Sequence, residues 1–208
     1  MANALTDPDL PLPAGLDSPA AIQEFLDGIA YSPEEIYRCP RTVLSDGKGH
    51  CYDGAVLAAA ALRRIGYPPL IVELLPWIGH DDDHILAVFK IDGRWGAVAK
   101  SNFVGLRYRD PVYVSVRELV MSYFDVFFNL NREKTLRGYI LPLNLARFDP
   151  LHWTTRDETM EDIATGLENS RKVELLTPAM TERLVLLDQR SFEAGLLGSD
   201  PEGLRKAE

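Results

Sequence analysis

Gly47-Lys48-Gly49-His50 leads into Cys51, which opens an alanine-rich run through Ile65. The pattern is a glycine-loosened loop ending in a cysteine at the start of a buried helix. A thiol there faces unpaired backbone N–H groups and the positive end of the helix dipole. Both favour a thiolate, so the expected pKa lies below the free-cysteine value of about 8.5. The chemistry would be nucleophilic attack on an acyl carbon. Such a nucleophile needs a base to take its proton and a third group to hold the base.

His84 is the candidate base. It opens the apolar run His84 to Lys90, a strand whose first residue lies at the sheet rim, within reach of a helix N-terminus. Asp92-Gly93 is a strong hairpin signal. With a two-residue loop Ile91 pairs with Arg94 and His84 falls opposite Ser101; with a three-residue loop it falls opposite Lys100. Either register brings Asn102 near the imidazole, and a neutral amide orients the ring in Cys-His-Asn sites. Asn102 is therefore the third catalytic candidate. His50 adjoins Cys51 but points apart from it and reads as a loop or cleft residue. The stretch His80-Asp81-Asp82-Asp83-His84 invites a metal reading, yet consecutive aspartates after Gly79 disfavour the helix that would bring both histidines to one face. A solvated acidic loop is expected there, and no metal or other cofactor is implied. Cys39 lies in a loop with no base in view.

The elements around these residues follow from local signals. Ser18-Pro19 opens a helix from about Ala20 to Ala30, with Ile22, Phe25, Leu26 and Ile29 on one face. Ser32-Pro33-Glu34-Glu35 repeats the start signal for a short second helix. Pro40 is expected to block a helix between Arg38 and Lys48. In the Cys51 helix, small side chains allow close approach of neighbours, and Gly66 with Pro68-Pro69 stops it. Strands are expected at Leu70–Leu75, His84–Lys90, Arg94–Lys100 and, at an edge, Pro111–Val114. Ser115 caps a long amphipathic helix to about Phe128. Beyond Asn131 the pattern weakens to a strand over Tyr139–Leu145 and helices over Thr155–Glu168 and Pro178–Phe192. The fold class is α+β: an antiparallel sheet packed on a central helix that starts at the cysteine.

The order Gly49-His50-Cys51 at a helix start, His84 at a strand start, then a hairpin with Gly93-Arg94-Trp95 resembles the transglutaminase-like superfamily, a branch of the papain-like cysteine enzymes. The similarity covers roughly residues 20–130. It implies Cys51 as nucleophile, His84 as base, and the Cys51 backbone N–H as part of an oxyanion hole. Members usually carry an aspartate four residues after the hairpin tryptophan, where this chain has Ala99. The orienting group is then Asn102, Asp82 or Asp110, or it is absent and the site degenerate.

Composition sets the remaining bounds. The chain has 208 residues, 46% hydrophobic and 25% charged, with formal net charge -9. That balance argues against nucleic acid as a partner, which needs a clustered positive field. The two cysteines do not suggest a disulfide framework, and their spacing alone leaves a pairing between them open. The first residues lack a signal-peptide pattern, and no apolar run approaches the ~18 residues of a membrane span. A soluble cytoplasmic protein is expected, with an extended arm at 1–17, a core at 18–130, and a mostly helical extension at 131–208 packed on it. The expected function is cysteine hydrolysis, favoured over acyl transfer, of a peptide, isopeptide or thioester bond through an acyl-enzyme, with a peptide or protein amide as partner. The alternative is a degenerate fold serving as a binding scaffold. Oligomeric state is left open.

Overall fold

A computed structural model describes residues 10–204. The first part of the expected N-terminal arm lies outside the described residues. From Leu10 the arm is packed: Leu10 and Leu16 are buried, and the Arg64 guanidinium donates to the carbonyls of Leu12, Pro13 and Leu16.

The elements run α1 (Pro19–Gly28), β1 (Ala30–Tyr31), α2 (Pro40–Asp46), β2 (Lys48–Gly49), α3 (Cys51–Arg64), β3 (Leu70–Pro76), β4 (His84–Ile91), β5 (Arg94–Val98), β6 (Arg109–Tyr113) and α4 (Val116–Met121). Then follow β7 (Leu136–Ile140), β8 (Leu143–Asn144), α5 (Thr159–Glu168), β9 (Lys172–Glu174), α6 (Pro178–Thr181) and α7 (Gln189–Gly195). The main sheet has the order β6-β5-β4-β3-β7-β9, antiparallel throughout, with β8 also on β3. The fold is α+β, an antiparallel sheet packed against the central helix α3. Beyond residue 130, β7 and β9 extend the sheet, because β7 pairs directly with β3 and β9 with β7. Among the described residues no helix is long and apolar enough to cross a membrane.

The sheet is covered on both sides, which explains the unbroken apolar run of β4. Ile85, Ala87 and Phe89 face α3 and α1, whereas Leu86 and Val88 face Leu119, Val120, Tyr123 and Phe127. Every residue of α3 from Tyr52 to Leu62 is buried, so this helix is central, as its alanines indicate. Gly54 sits against the end of the hairpin: a Cβ there would stand 2.4 Å from the Lys100 Cβ. Lys100 cannot swing away easily, because its buried ammonium caps α1 by donating to Leu26 O at 3.0 Å and Ile29 O at 2.5 Å. Gly54→Ala gains about 1 kcal/mol of helix propensity. Overpacking against an immovable Cβ costs about 1–3 kcal/mol and wins. The variant should show a lower urea midpoint with unchanged slope; an unchanged or higher midpoint would mean that α3 is free to shift.

Local signals were overridden in four places. Residues 32–39 form no helix; the segment is held out as a cleft wall by Arg38, which is buried and bonds Ser32, Glu34 and Asp46. Pro40, expected to block a helix, instead starts α2, since a proline's missing N–H costs nothing in the first turn. The helix after Ser115 ends at Met121 rather than near Phe128: Tyr123 turns into the core and a 3₁₀ turn, Phe124–Val126, follows. The last expected helix is likewise broken into α6 and α7.

Candidate active site

Cys51 is the first residue of α3, and its position is fixed by its neighbours. His50 is the N-cap: its Nδ1 accepts from the Tyr52 N–H at 3.2 Å, so its Nε2 carries the proton that goes to Ile36 O, 3.1 Å away. Asp53, fully buried, answers by accepting from the His50 N–H at 3.1 Å, and it also accepts from the Arg38 N–H at 2.8 Å. This reciprocal cap holds the helix start and ties it to the cleft wall. His50 is thus a structural cap with both ring nitrogens engaged. The spacing His50-x-x-Asp53 was the signal that could have revealed it.

The Cys51 side chain is partly exposed, and its Sγ lies 3.9 Å from the carbonyl oxygen of Asp83, the residue before His84. His84 opens β4 opposite Leu74 and is almost completely buried. Its Nε2 lies 2.7 Å from Leu106 O. A carbonyl only accepts, so Nε2 bears the hydrogen and Nδ1 is left as the basic nitrogen. Both Cys51 and His84 line one cleft of about 1020 Å³, together with Tyr31, Tyr37, Asn102 and Phe128.

Of the two loop lengths left open, the hairpin has the two-residue turn: Asp92 and Gly93 both have positive φ, and Ile91 pairs with Arg94. Ladder pairing stops at Ala87–Val98, and the chain after Ala99 leaves the sheet. Asn102 therefore reaches the cleft without reaching the imidazole. Its amide is committed elsewhere, donating to Asp200 O at 2.8 Å and accepting from the Asp200 N–H at 2.7 Å. The group that orients His84 is the Leu106 carbonyl, which no sequence motif marks. Its loop is braced by Tyr123, whose hydroxyl donates to Arg107 O at 2.8 Å, and by Arg109, which donates to Gly105 O at 2.8 Å. Asp110, the other distant candidate, is exposed on the edge strand β6. His80 stacks on Trp77 at 3.5 Å and pairs with Glu133. Cys39 is buried in a core position with Thr42 beside its sulfur.

The electrostatics differ from the expectation for a helix N-terminus. Burial pushes the Cys51 thiol above its ordinary range, and the Asp83 carboxylate adds to this; the Ile85 and Tyr52 backbone N–H groups pull the other way without prevailing. Local desolvation outweighs the dipole. Burial also drives His84 down to about 4, against the favourable bond to Leu106. The resting pair is a neutral thiol and a neutral imidazole. Sequence reasoning also missed the pair Glu73–Asp83, two hydrogen-bonded carboxyls beside the site. Burial and then Asp83 push Glu73 up to about 8, and burial raises Asp83 as well, so the pair holds a proton at neutral pH. Among the described residues the cleft is lined by Glu34, Glu35, Asp81, Asp82, Asp83, Glu161 and Glu202 and by no Lys or Arg.

A cysteine at a helix start and a histidine at a strand start share one cleft over an antiparallel sheet. Residues 13–99 match the family described as the transglutaminase-like superfamily, so the resemblance carried by Cys51, His84 and Trp95 is borne out over that span. Among solved structures, Legionella pneumophila LapG (EGTA-treated) is similar with a TM-score of 0.39 and 13% identity, covering 68% of this chain and 77% of that one. No curated protein matches.

Proposed function

We propose that this protein is a cysteine hydrolase acting on a peptide, isopeptide or thioester bond. The observation that carries the reading is the shared cleft, with Cys51 Sγ 3.9 Å from the carbonyl that precedes His84. His84 Nδ1 takes the thiol proton as Sγ bonds to the substrate carbonyl carbon. The oxyanion is met by the Cys51 N–H, which as a first-turn donor has no intrahelical partner. Collapse breaks the carbon–nitrogen (or carbon–sulfur) bond, and His84 returns its proton to the leaving group. Water then adds to the thioester, giving a proton to His84; the carbon–Sγ bond breaks and the thiol is restored. Only the neutral imidazole can accept the thiol proton, and His84 is neutral across the physiological range. The carboxylate lining favours substrates that are neutral or basic around the scissile bond. Hydrolysis is favoured over transfer because water needs no acceptor site of its own.

A second reading rests on the same electrostatics. A backbone carbonyl stabilises an imidazolium less than a carboxylate does, and the thiol is held protonated. A degenerate site on a binding scaffold has those features. The pH dependence of iodoacetamide alkylation, read at each cysteine by peptide mass spectrometry, separates the two. For the hydrolase, Cys51 should react in the folded chain with a rate that rises through the alkaline range, while buried Cys39 stays protected. If both cysteines react only after unfolding, the scaffold reading replaces it.

A further inference from the structure

Asp200 is extended, with φ -77° and ψ 119°, so its N–H and C=O point the same way. The Asn102 amide engages both. Such a pairing reads backbone: any residue of an extended peptide presents the same donor and acceptor. Three residues on, at the end of the 3₁₀ turn Pro201–Gly203, Gly203 rests on Tyr31, where an added Cβ would lie 2.7 Å from two ring carbons and 3.0 Å from Asn102 Nδ2. Glu202, Gly203 and Leu204 thereby line the cleft that also holds Cys51 and His84. The segment is delivered there by α7. Phe192 packs on Phe128 with centroids 5.6 Å apart, Gly195 allows that ring to approach, and Gly198 at φ 72° turns the chain back towards Asn102.

We propose that Asn102 and the Tyr31 ring form a subsite for a peptide with one extended residue at Asn102 and, after a 3₁₀ turn, a small residue over Tyr31, and that the segment Asp200–Leu204 occupies it as a displaceable plug. The proposal rests on the reading of this cleft as one that takes peptide. It assigns Asn102 to substrate-backbone recognition rather than to orienting His84. A tethered segment has an effective concentration of about 1 mM. A plug that keeps the subsite about nine-tenths filled then corresponds to a free-peptide Kd of about 0.1 mM.

The test uses the full-length chain in a Cys51→Ala background, so that no turnover enters. Gly203→Val should expel the segment, because its side chain would meet the Tyr31 ring. Hydrogen exchange at the Asp200 amide should accelerate about tenfold, and a fluorescein-labelled synthetic peptide of sequence Ser-Asp-Pro-Glu-Gly-Leu should bind in anisotropy titrations about tenfold more tightly than to the Gly203 parent. Adding Asn102→Ala should abolish that gain; circular dichroism and the thermal midpoint establish that each variant is folded. Unchanged exchange, equal peptide binding by parent and variant, or binding indifferent to Asn102 would each overturn the subsite. Peptide binding as expected, beside a wild-type Cys51 that alkylates only on unfolding, would sink the hydrolase reading and leave the subsite standing.

Discussion

Cys51→Ala should lower turnover of a thioester or amide substrate by at least about 10⁴-fold while moving the thermal midpoint by less than about 2 °C. The two halves of this expectation come from different parts of the structure. Loss of the nucleophile removes the covalent route, and the remaining N–H donors and binding contacts supply only a residual rate. Stability is spared because Cys51 lies outside both buried clusters and is partly exposed to the cleft. The helix start is secured by His50 and Asp53, whose reciprocal bonds use backbone that alanine retains. Activity surviving in the variant would remove Cys51 from the mechanism. A midpoint lower by about 10 °C would instead make it a packing residue.

The second large effect concerns pH. His84 titrates near 4 in the folded chain and near 6.5 when unfolded. Between those values the unfolded chain binds more protons, so stability rises with pH across this window. The contribution is intact above pH 6.5, is lost as pH falls towards 4, and amounts to about 3 kcal/mol. Glu73 works in the opposite sense: its raised pKa makes the folded state lose stability as pH rises between about 4.5 and 8, and the raised Asp83 acts in the same direction. A single pH curve mixes the two. The difference between the parent and His84→Gln isolates the histidine, because the glutamine amide still donates to Leu106 O without titrating. Urea unfolding at pH 4 and at pH 7 should show the variant relatively more stable at the acid end. A constant difference at both pH values would mean that His84 is hydrated and titrates normally.

The core of the fold was legible because its signals are local. The alanines of α3 mark a helix that others must approach closely, and Gly54 against Lys100 is that approach. Asp92-Gly93 marked the hairpin, and the structure chose the two-residue turn that pairs Ile91 with Arg94. The order of Cys51, His84 and Trp95 identified the transglutaminase-like arrangement. Elements after Val114 were less legible, since the aromatic residues Tyr123, Phe127 and Phe128 fit a helix pattern while being claimed by the far face of the sheet. Pro40 was misread because its effect depends on whether it falls inside a helix or at its first turn.

The sequence by itself pointed to the candidate nucleophile, the candidate base and the elements that carry them, because each is written into a cap, a strand start or a turn. Only the tertiary structure decided what surrounds them. Whether a helix N-terminus makes a thiolate depends on how dry the sulfur is and on which carboxylate stands beside it, and Asp83 comes from another element. The Leu106 carbonyl that fixes the His84 tautomer has no side-chain signature. Asn102, near enough in register to serve the imidazole, is drawn instead to Asp200, 98 residues further along the chain. Contacts of that span are set by the packing of the whole domain, which local sequence does not encode.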